Sequence, residues 1–177
     1  MKKILLGLLL LILISGAGLS AQNDNYSERF GRTLNLGVGI GGYSGYYGYI
    51  GHMLPVISAN YEFDVVRSFT LAPFATIYSY REGYYRETVI PLGVKASYYF
   101  DNLLRANSNW DFYLAGSLGF AFVSSKWYDG HQGDGTLHSA NPLFIDMHLG
   151  IEYHLNDRLG IFLDLSTGVS TLGLAFH

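Results

Sequence analysis

The sequence predicts an all-β fold, an eight-stranded antiparallel up-and-down transmembrane β-barrel. Three observations predict it. Residue types alternate from Thr33 onward, one face of each alternating stretch is aliphatic while the other is small or charged, and aromatic rings gather at the ends of the stretches. The 177 residues include 22 Gly and 15 Tyr, only 14% are charged, and none is Cys. No disulfide framework therefore holds an exported domain together, and the backbone hydrogen bonds of a closed sheet are the expected source of stability.

The chain opens on a targeting pattern. Met1-Lys2-Lys3 is a basic head, Ile4 to Ile14 is an apolar run broken only by Gly7, and Ser15 to Ala21 supplies small residues for cleavage. Residues 1–21 read as a secretory signal peptide, with cleavage expected after Ala21 or, alternatively, after Ser20. A transmembrane helix needs about 20 apolar residues, and this run stops short of that. No Cys follows it, which excludes a lipid-anchored lipoprotein. Loss of Lys2 and Lys3 makes the formal net charge of −3 two units more negative, so nucleic acid is not an expected partner. Residues 22–32 form a short lead, and 33–177 form the barrel domain.

Eight stretches follow in order. The first sets Leu34, Leu36, Val38 and Ile40 against Asn35, Gly37, Gly39 and Gly41. The second sets Ile57, Ala59, Tyr61 and Phe63 against Ser58, Asn60, Glu62 and Asp64. In the third, Phe69, Leu71, Ala75 and Ile77 oppose Thr70, Thr76 and Tyr78. The fourth opposes Ile90, Leu92, Val94, Ala96, Tyr98 and Phe100 to Gly93, Lys95, Ser97 and Asp101. In the fifth, Trp110, Phe112, Leu114, Leu118, Phe120 and Phe122 share a face opposite Ala115, Ser117, Gly119 and Ala121. The sixth places Ile145, Met147, Leu149, Ile151, Tyr153 and Leu155 opposite Asp146, His148, Gly150, Glu152 and His154. The seventh places Leu159, Ile161, Leu163 and Leu165 opposite Gly160, Asp164 and Ser166, and a short eighth carries Leu172, Leu174 and Phe176.

Eight such strands fit either a soluble barrel with an apolar inside or a membrane barrel with an apolar outside. The second face carries Glu62, Lys95, Asp146, His148, Glu152 and Asp164, too many charges for an apolar-ligand cavity, where each unpaired one is costly. In a membrane barrel the same residues face a polar lumen. With the N-terminus in the periplasm, the inner turns fall at residues 65–67, 102–109 and 156–158. The outer connections fall at 44–50, 81–84, 124–141 and 167–169. Tyr61, Phe63, Phe69, Tyr98, Phe100, Trp110, Phe112, Tyr153 and Phe176 then all lie at periplasmic strand ends on the lipid-facing parity, an aromatic girdle. Tyr78, Tyr80, Phe120, Phe122, Trp127 and Tyr128 form a looser upper belt, with Tyr78 and Tyr80 on the lumen parity.

From about Thr33 to His177 the chain resembles the small outer-membrane β-barrel proteins of OmpA/OmpX-like architecture, in the broad "outer membrane protein beta-barrel domain" family. The resemblance rests on the signal peptide, Ile90-Pro91-Leu92-Gly93-Val94-Lys95, Tyr98-Tyr99-Phe100, Leu159-Gly160-Ile161-Phe162 and the closing Leu172-Gly173-Leu174-Ala175-Phe176. It implies a bacterial outer-membrane location, lipid contact, and recognition of the last strand by the barrel-assembly machinery. Phe176 is penultimate, with His177 after it, where such proteins usually end on an aromatic. The family patterns are alternations without catalytic signatures, so they imply a structural or cell-surface role and no activity.

The candidate functional residues divide into four groups. Lys95 is expected near mid-depth, surrounded by Glu62, Glu152, Asp164 and Asp146 as ion pairs that plug the lumen, because a lone buried charge is costly; a narrow channel is the alternative. His148, Glu152 and His154 share one face but span roughly 20 Å at about 3.4 Å per residue, too far for one ion without other strands, so lumen packing and no metal are expected. Asp129, His131, Asp134 and His138 lie in a Gly-rich loop whose spacing matches no EF-hand. Tyr43, Tyr46, Tyr47, Tyr49, Tyr84 and Tyr85 form a Tyr-rich outer surface suited to an unknown surface ligand, and packing at the rim is the competing role. The resemblance also extends to barrel enzymes that deacylate or acylate lipid A with a His, a Ser and an acid. Here His138 and Ser139 are adjacent and point apart, and no Ser follows His148 by two, so no enzyme and no cofactor are expected.

Overall fold

The computed structural model describes residues 30–41, 54–104, 109–128 and 143–177. The expected signal peptide, the first-loop tyrosines and the Gly-rich loop with His131 and His138 lie outside the described residues. Eight strands are present: β1 (Thr33–Gly41), β2 (Leu54–Val66), β3 (Phe69–Glu82), β4 (Tyr85–Tyr99), β5 (Trp110–Trp127), β6 (Leu143–Asn156), β7 (Leu159–Ser166) and β8 (Val169–Phe176). One helical turn, α1 (Asp101–Leu104), follows β4. Each strand pairs antiparallel with its sequence neighbours, and the order closes as a barrel. Closure runs through β1 and β8, in register from Leu34↔Phe176 to Gly41↔Val169, so these two strands pair with each other and close the sheet.

Phe30 and His177 mark one end of the barrel, called here the terminal end. It also carries the Arg67-Ser68 and Asp157-Arg158 turns and α1. The far end carries the Gly83-Tyr84 and Thr167-Gly168 turns. Gly83 has a φ of +55°, which a two-residue hairpin requires and a glycine adopts without steric cost. The strands are unequal. β4 has 15 residues and β5 has 18, whereas β7 and β8 have 8 each. A membrane-crossing strand needs about 9–11 residues, so the β3–β4–β5 wall rises beyond that span at the far end.

Alternation puts the aliphatic set outside. Ile145 is 69% exposed, Val38 64% and Phe122 62%, and the outward positions of every strand are similarly apolar. A continuous belt of this kind is stable against hydrocarbon and unstable against water, which makes the fold a transmembrane barrel. The nine rings expected in one girdle all point outward, near the strand ends at the terminal end.

Inside, large residues lie over glycines. Tyr113 crosses Gly150 so closely that a Cβ there would fall 1.9 Å from Tyr113 Cζ. Phe74 and Phe144 lie over the cross-strand pair Gly93↔Gly119, and Phe162 lies over Gly37↔Gly173. Gly37, Gly93, Gly119, Gly150 and Gly173 are therefore slots for specific rings. Two apolar layers result. Val56, Tyr78, Val89, Ala121, Phe144 and Val169 pack toward the far end. Phe30, Tyr99, Tyr113 and Ala115 pack toward the terminal end, where Phe30 stacks on Tyr99 at 4.1 Å between centroids. The lead is held in this position by Asp64, whose Oδ1 accepts from the Phe30 and Gly31 amides at 3.2 and 2.9 Å.

Two expectations about rings are corrected. Tyr85, expected in a surface loop, opens β4 and is 1% exposed. Trp127, expected in the outer belt, is the last residue of β5 and lies on the inward parity, its ring 4.9 Å from that of Tyr85. Both follow from strand length: β3, β4 and β5 continue past the membrane span, and alternation carries these two rings over the lumen. Tyr84, in the turn, is 50% exposed.

Gly150→Ala should push Tyr113 from its slot and lower stability by about 1–3 kcal/mol, the usual cost of overpacking. The midpoint of urea unfolding in detergent micelles measures this, and an unchanged midpoint contradicts the slot.

Candidate functional site in the lumen

Between the two apolar layers lies a polar layer. Lys95, on β4, is 6% exposed and reaches two carboxylates, Asp164 Oδ2 at 3.3 Å and Glu62 Oε1 at 3.5 Å. Its Nζ also lies 4.9 Å from the centre of the Tyr113 ring, within cation–π range. Tyrosine hydroxyls donate to the same carboxylates: Tyr113 to Asp164 Oδ2 at 2.9 Å and Tyr99 to Glu62 Oε2. The slot at Gly150 is thus what lets the Tyr113 hydroxyl reach the ion pair.

Asp164 has a second set of partners. His148 Nδ1 lies 2.7 Å from Asp164 Oδ1, and His148 Nε2 lies 2.9 Å from Ser117 Oγ. Three strands, β5, β6 and β7, bring Ser117, His148 and Asp164 into the order of a nucleophile, base and orienting acid. Sequence reasoning sought a serine beside each histidine along the chain and missed this one, which comes from across the sheet. The space in front of it is small. A cavity of about 30 Å³ is lined by Ser117, His148, Lys95, Asp164, Thr76 and four further lumen residues besides Val169. That volume holds on the order of one water and no acyl chain. Lys95 and Tyr113 already engage the acid of the set.

Two residues expected around Lys95 lie elsewhere. Asp146 pairs with Ser117, which pairs with Lys95, so a whole strand separates them. Its Oδ1 accepts from Thr167 Oγ1 at 3.1 Å in the β7–β8 turn. Glu152 lies six residues further along β6, at the terminal end, where its Oε1 is 2.8 Å from His177 Nε2 and 4.0 Å from His154 Nε2. Asp111, opposite Glu152 across β5 and β6, has its Oδ2 2.8 Å from His154 Nε2. The sequence places Asp111 on the lumen parity next to Trp110, so alternation alone could have found it. Glu87, also buried, lies on the part of β4 before the expected strand start.

No family model matches the chain, and a search of curated proteins finds no match. Among solved structures, the fold is similar to that of Neisserial surface protein A, NspA, with a TM-score of 0.52 and 18% identity over 81% of this chain and 94% of that one. A de novo designed transmembrane β-barrel aligns over 84% of this chain and 98% of its own at a TM-score of 0.48 and 12% identity. The Yersinia pestis outer membrane protein Ail aligns over 81% and 97% at 0.43 and 11%. The NspA likeness is one of fold: a small closed barrel of the outer-membrane type.

Lys95→Met should destabilise the barrel by about 3–5 kcal/mol, since it strands two buried carboxylates. Adding Asp164→Asn and Glu62→Gln should recover part of that loss. Urea unfolding of the single and triple variants tests the pairing, and a triple variant no more stable than the single one contradicts it.

Proposed function

We propose that the protein is an exported, integral outer-membrane barrel with a plugged polar lumen, serving as a structural or surface-interacting element of a bacterial cell. The observation that carries this reading is the contrast between an apolar belt on every strand and a lumen filled by the Lys95, Glu62 and Asp164 network, with about 30 Å³ left open beside it. Eight-stranded barrels are narrow enough for side chains to fill, and an ion pair held by tyrosines opposes the passage of solutes. The signal peptide read from residues 1–21 accounts for export, and β8, ending in Phe176, supplies the segment that an assembly machinery would read. Interaction is assigned to the far end, where the β3–β4–β5 wall rises beyond the membrane and exposes Tyr84 and Tyr128. The arginine of Arg86 lies over the Tyr128 ring at 5.8 Å, giving that rim a cationic and aromatic character suited to anionic or aromatic ligands.

A lipid-modifying enzyme is the second reading, and the Ser117–His148–Asp164 arrangement is the observation that favours it. Burial opposes it. Ser117 is 4% exposed, and the cavity beside it measures about 30 Å³.

Purified protein in planar bilayers is expected to give no sizeable conductance step; a step that disappears in Lys95→Met would overturn the plug in favour of a channel. A fluorophosphonate probe is expected to leave Ser117 unlabelled in the folded, heat-modifiable form, and stoichiometric labelling lost in His148→Gln would move the assignment to an enzyme.

A further inference from the structure

Glu152, His154 and His177 form a cluster that neither the plug nor surface interaction uses. We propose that this cluster, at the terminal end of the lumen, binds one divalent transition-metal ion of the zinc class. The carboxylate oxygen of Glu152 and one nitrogen of each imidazole all lie within 4.8 Å of one another. Around tetrahedral zinc, with bonds of about 2.0–2.2 Å, ligand atoms lie about 3.4 Å apart. The Glu152–His177 and Glu152–His154 separations of 2.8 and 4.0 Å bracket that value. Asp111, 2.8 Å from His154 Nε2, stands beside the set as a carboxylate partner of that imidazole.

Hydrogen bonding orients His177 for this role. The Thr33 hydroxyl donates to the Phe30 carbonyl at 3.0 Å, so toward His177 it can only accept, and Nδ1 at 3.0 Å must carry the proton. With Nδ1 engaged by Thr33, Nε2 is the nitrogen left to bind a metal, and it is the one that faces Glu152 Oε1, at 2.8 Å. The His154 and His177 rings stack at 4.8 Å between centroids, which holds the two imidazoles side by side next to Glu152. One dication at this point takes both imidazoles and the Glu152 carboxylate as ligands.

The surroundings fit. Lys95 is committed to Glu62 and Asp164, and among the described residues the groups facing Asp111 and Glu152 as ion partners are these histidines. Gly160 leaves the room in which the Glu152 carboxylate sits, since a Cβ there would fall 2.1 Å from Oε1. The His154 and His177 side chains are 24% and 17% exposed, which gives an ion a way in from the terminal end. Two imidazoles select a borderline metal over calcium or magnesium, which prefer oxygen.

The test is titration of the metal-free protein, folded in detergent micelles, with zinc by calorimetry and with cobalt(II) by visible absorption. One ion per chain is expected, with d–d bands of low-symmetry cobalt. His154→Gln and His177→Gln should each weaken binding at least about tenfold, the scale on which even outer partners of metal ligands act. Gly160→Ala should weaken it by displacing Glu152 while keeping every ligand type, and His148→Gln should leave it unchanged. Heat-modifiable migration verifies that each variant is folded. The proposal is overturned if folded wild type takes up neither ion, or if the His154→Gln/His177→Gln double variant binds as wild type does, which would place the metal on other histidines.

Discussion

The lumen of an eight-stranded barrel is so narrow that several of its large inward side chains lie where a glycine on the strand beside them gives way. That constraint organises this protein. Tyr113 occupies the space that Gly150 leaves, Phe162 that of Gly37 and Gly173, and Glu152 that of Gly160. These matched pairs sit beside an apolar layer that holds Val56, Val89, Ala121 and Val169, and the polar pairs carry the chemistry: the Tyr113 ring lies across the glycine and its hydroxyl donates to Asp164.

The second constraint is charge. Among the described residues Glu62, Glu87, Asp101, Asp111, Asp146, Glu152 and Asp164 are buried, and Lys95 is the buried ammonium. One cation cannot compensate so many carboxylates by contact, because Coulomb attraction at low dielectric rewards only close partners. The strands distribute the problem. Lys95 serves two carboxylates at mid-depth, Thr167 and its turn serve Asp146 at the far end, and histidines serve Asp111 and Glu152 at the terminal end. Each local solution uses what the adjacent strand offers, so the three sites are chemically distinct although they share one lumen.

Alternation is legible from sequence because a barrel between lipid and a polar lumen enforces it at every residue. A strand with one side in hydrocarbon cannot slip by a single position without exchanging all of its faces. Hence the eight strands, the inward parity of Lys95, Glu62 and Asp164, and the outward parity of Tyr61 or Trp110 follow from the chain alone. Depth is less legible. Which inward residue meets which depends on how far neighbouring strands are staggered, and local sequence does not encode that stagger. Asp146 and Glu152 were thus expected beside Lys95 and lie elsewhere, while Ser117 and His148 meet from different strands. Strand length was also hidden, because Tyr85 and Trp127 continue the alternation beyond the membrane span and there face the lumen instead of solvent.

Termini complete the barrel in a way that alternation could not reveal. Phe30 enters from the lead and caps the apolar layer of Tyr99 and Tyr113, and the Phe30 carbonyl takes the Thr33 proton. That bond leaves the Thr33 hydroxyl to accept from His177 Nδ1, while Nε2 of the same ring faces Glu152. Residues 30 and 177 are therefore coupled through one hydroxyl. The β1–β8 seam, which closes the sheet, is also what brings this hydroxyl and this imidazole together. Barrel closure and the chemistry of the terminal end therefore have the same structural origin.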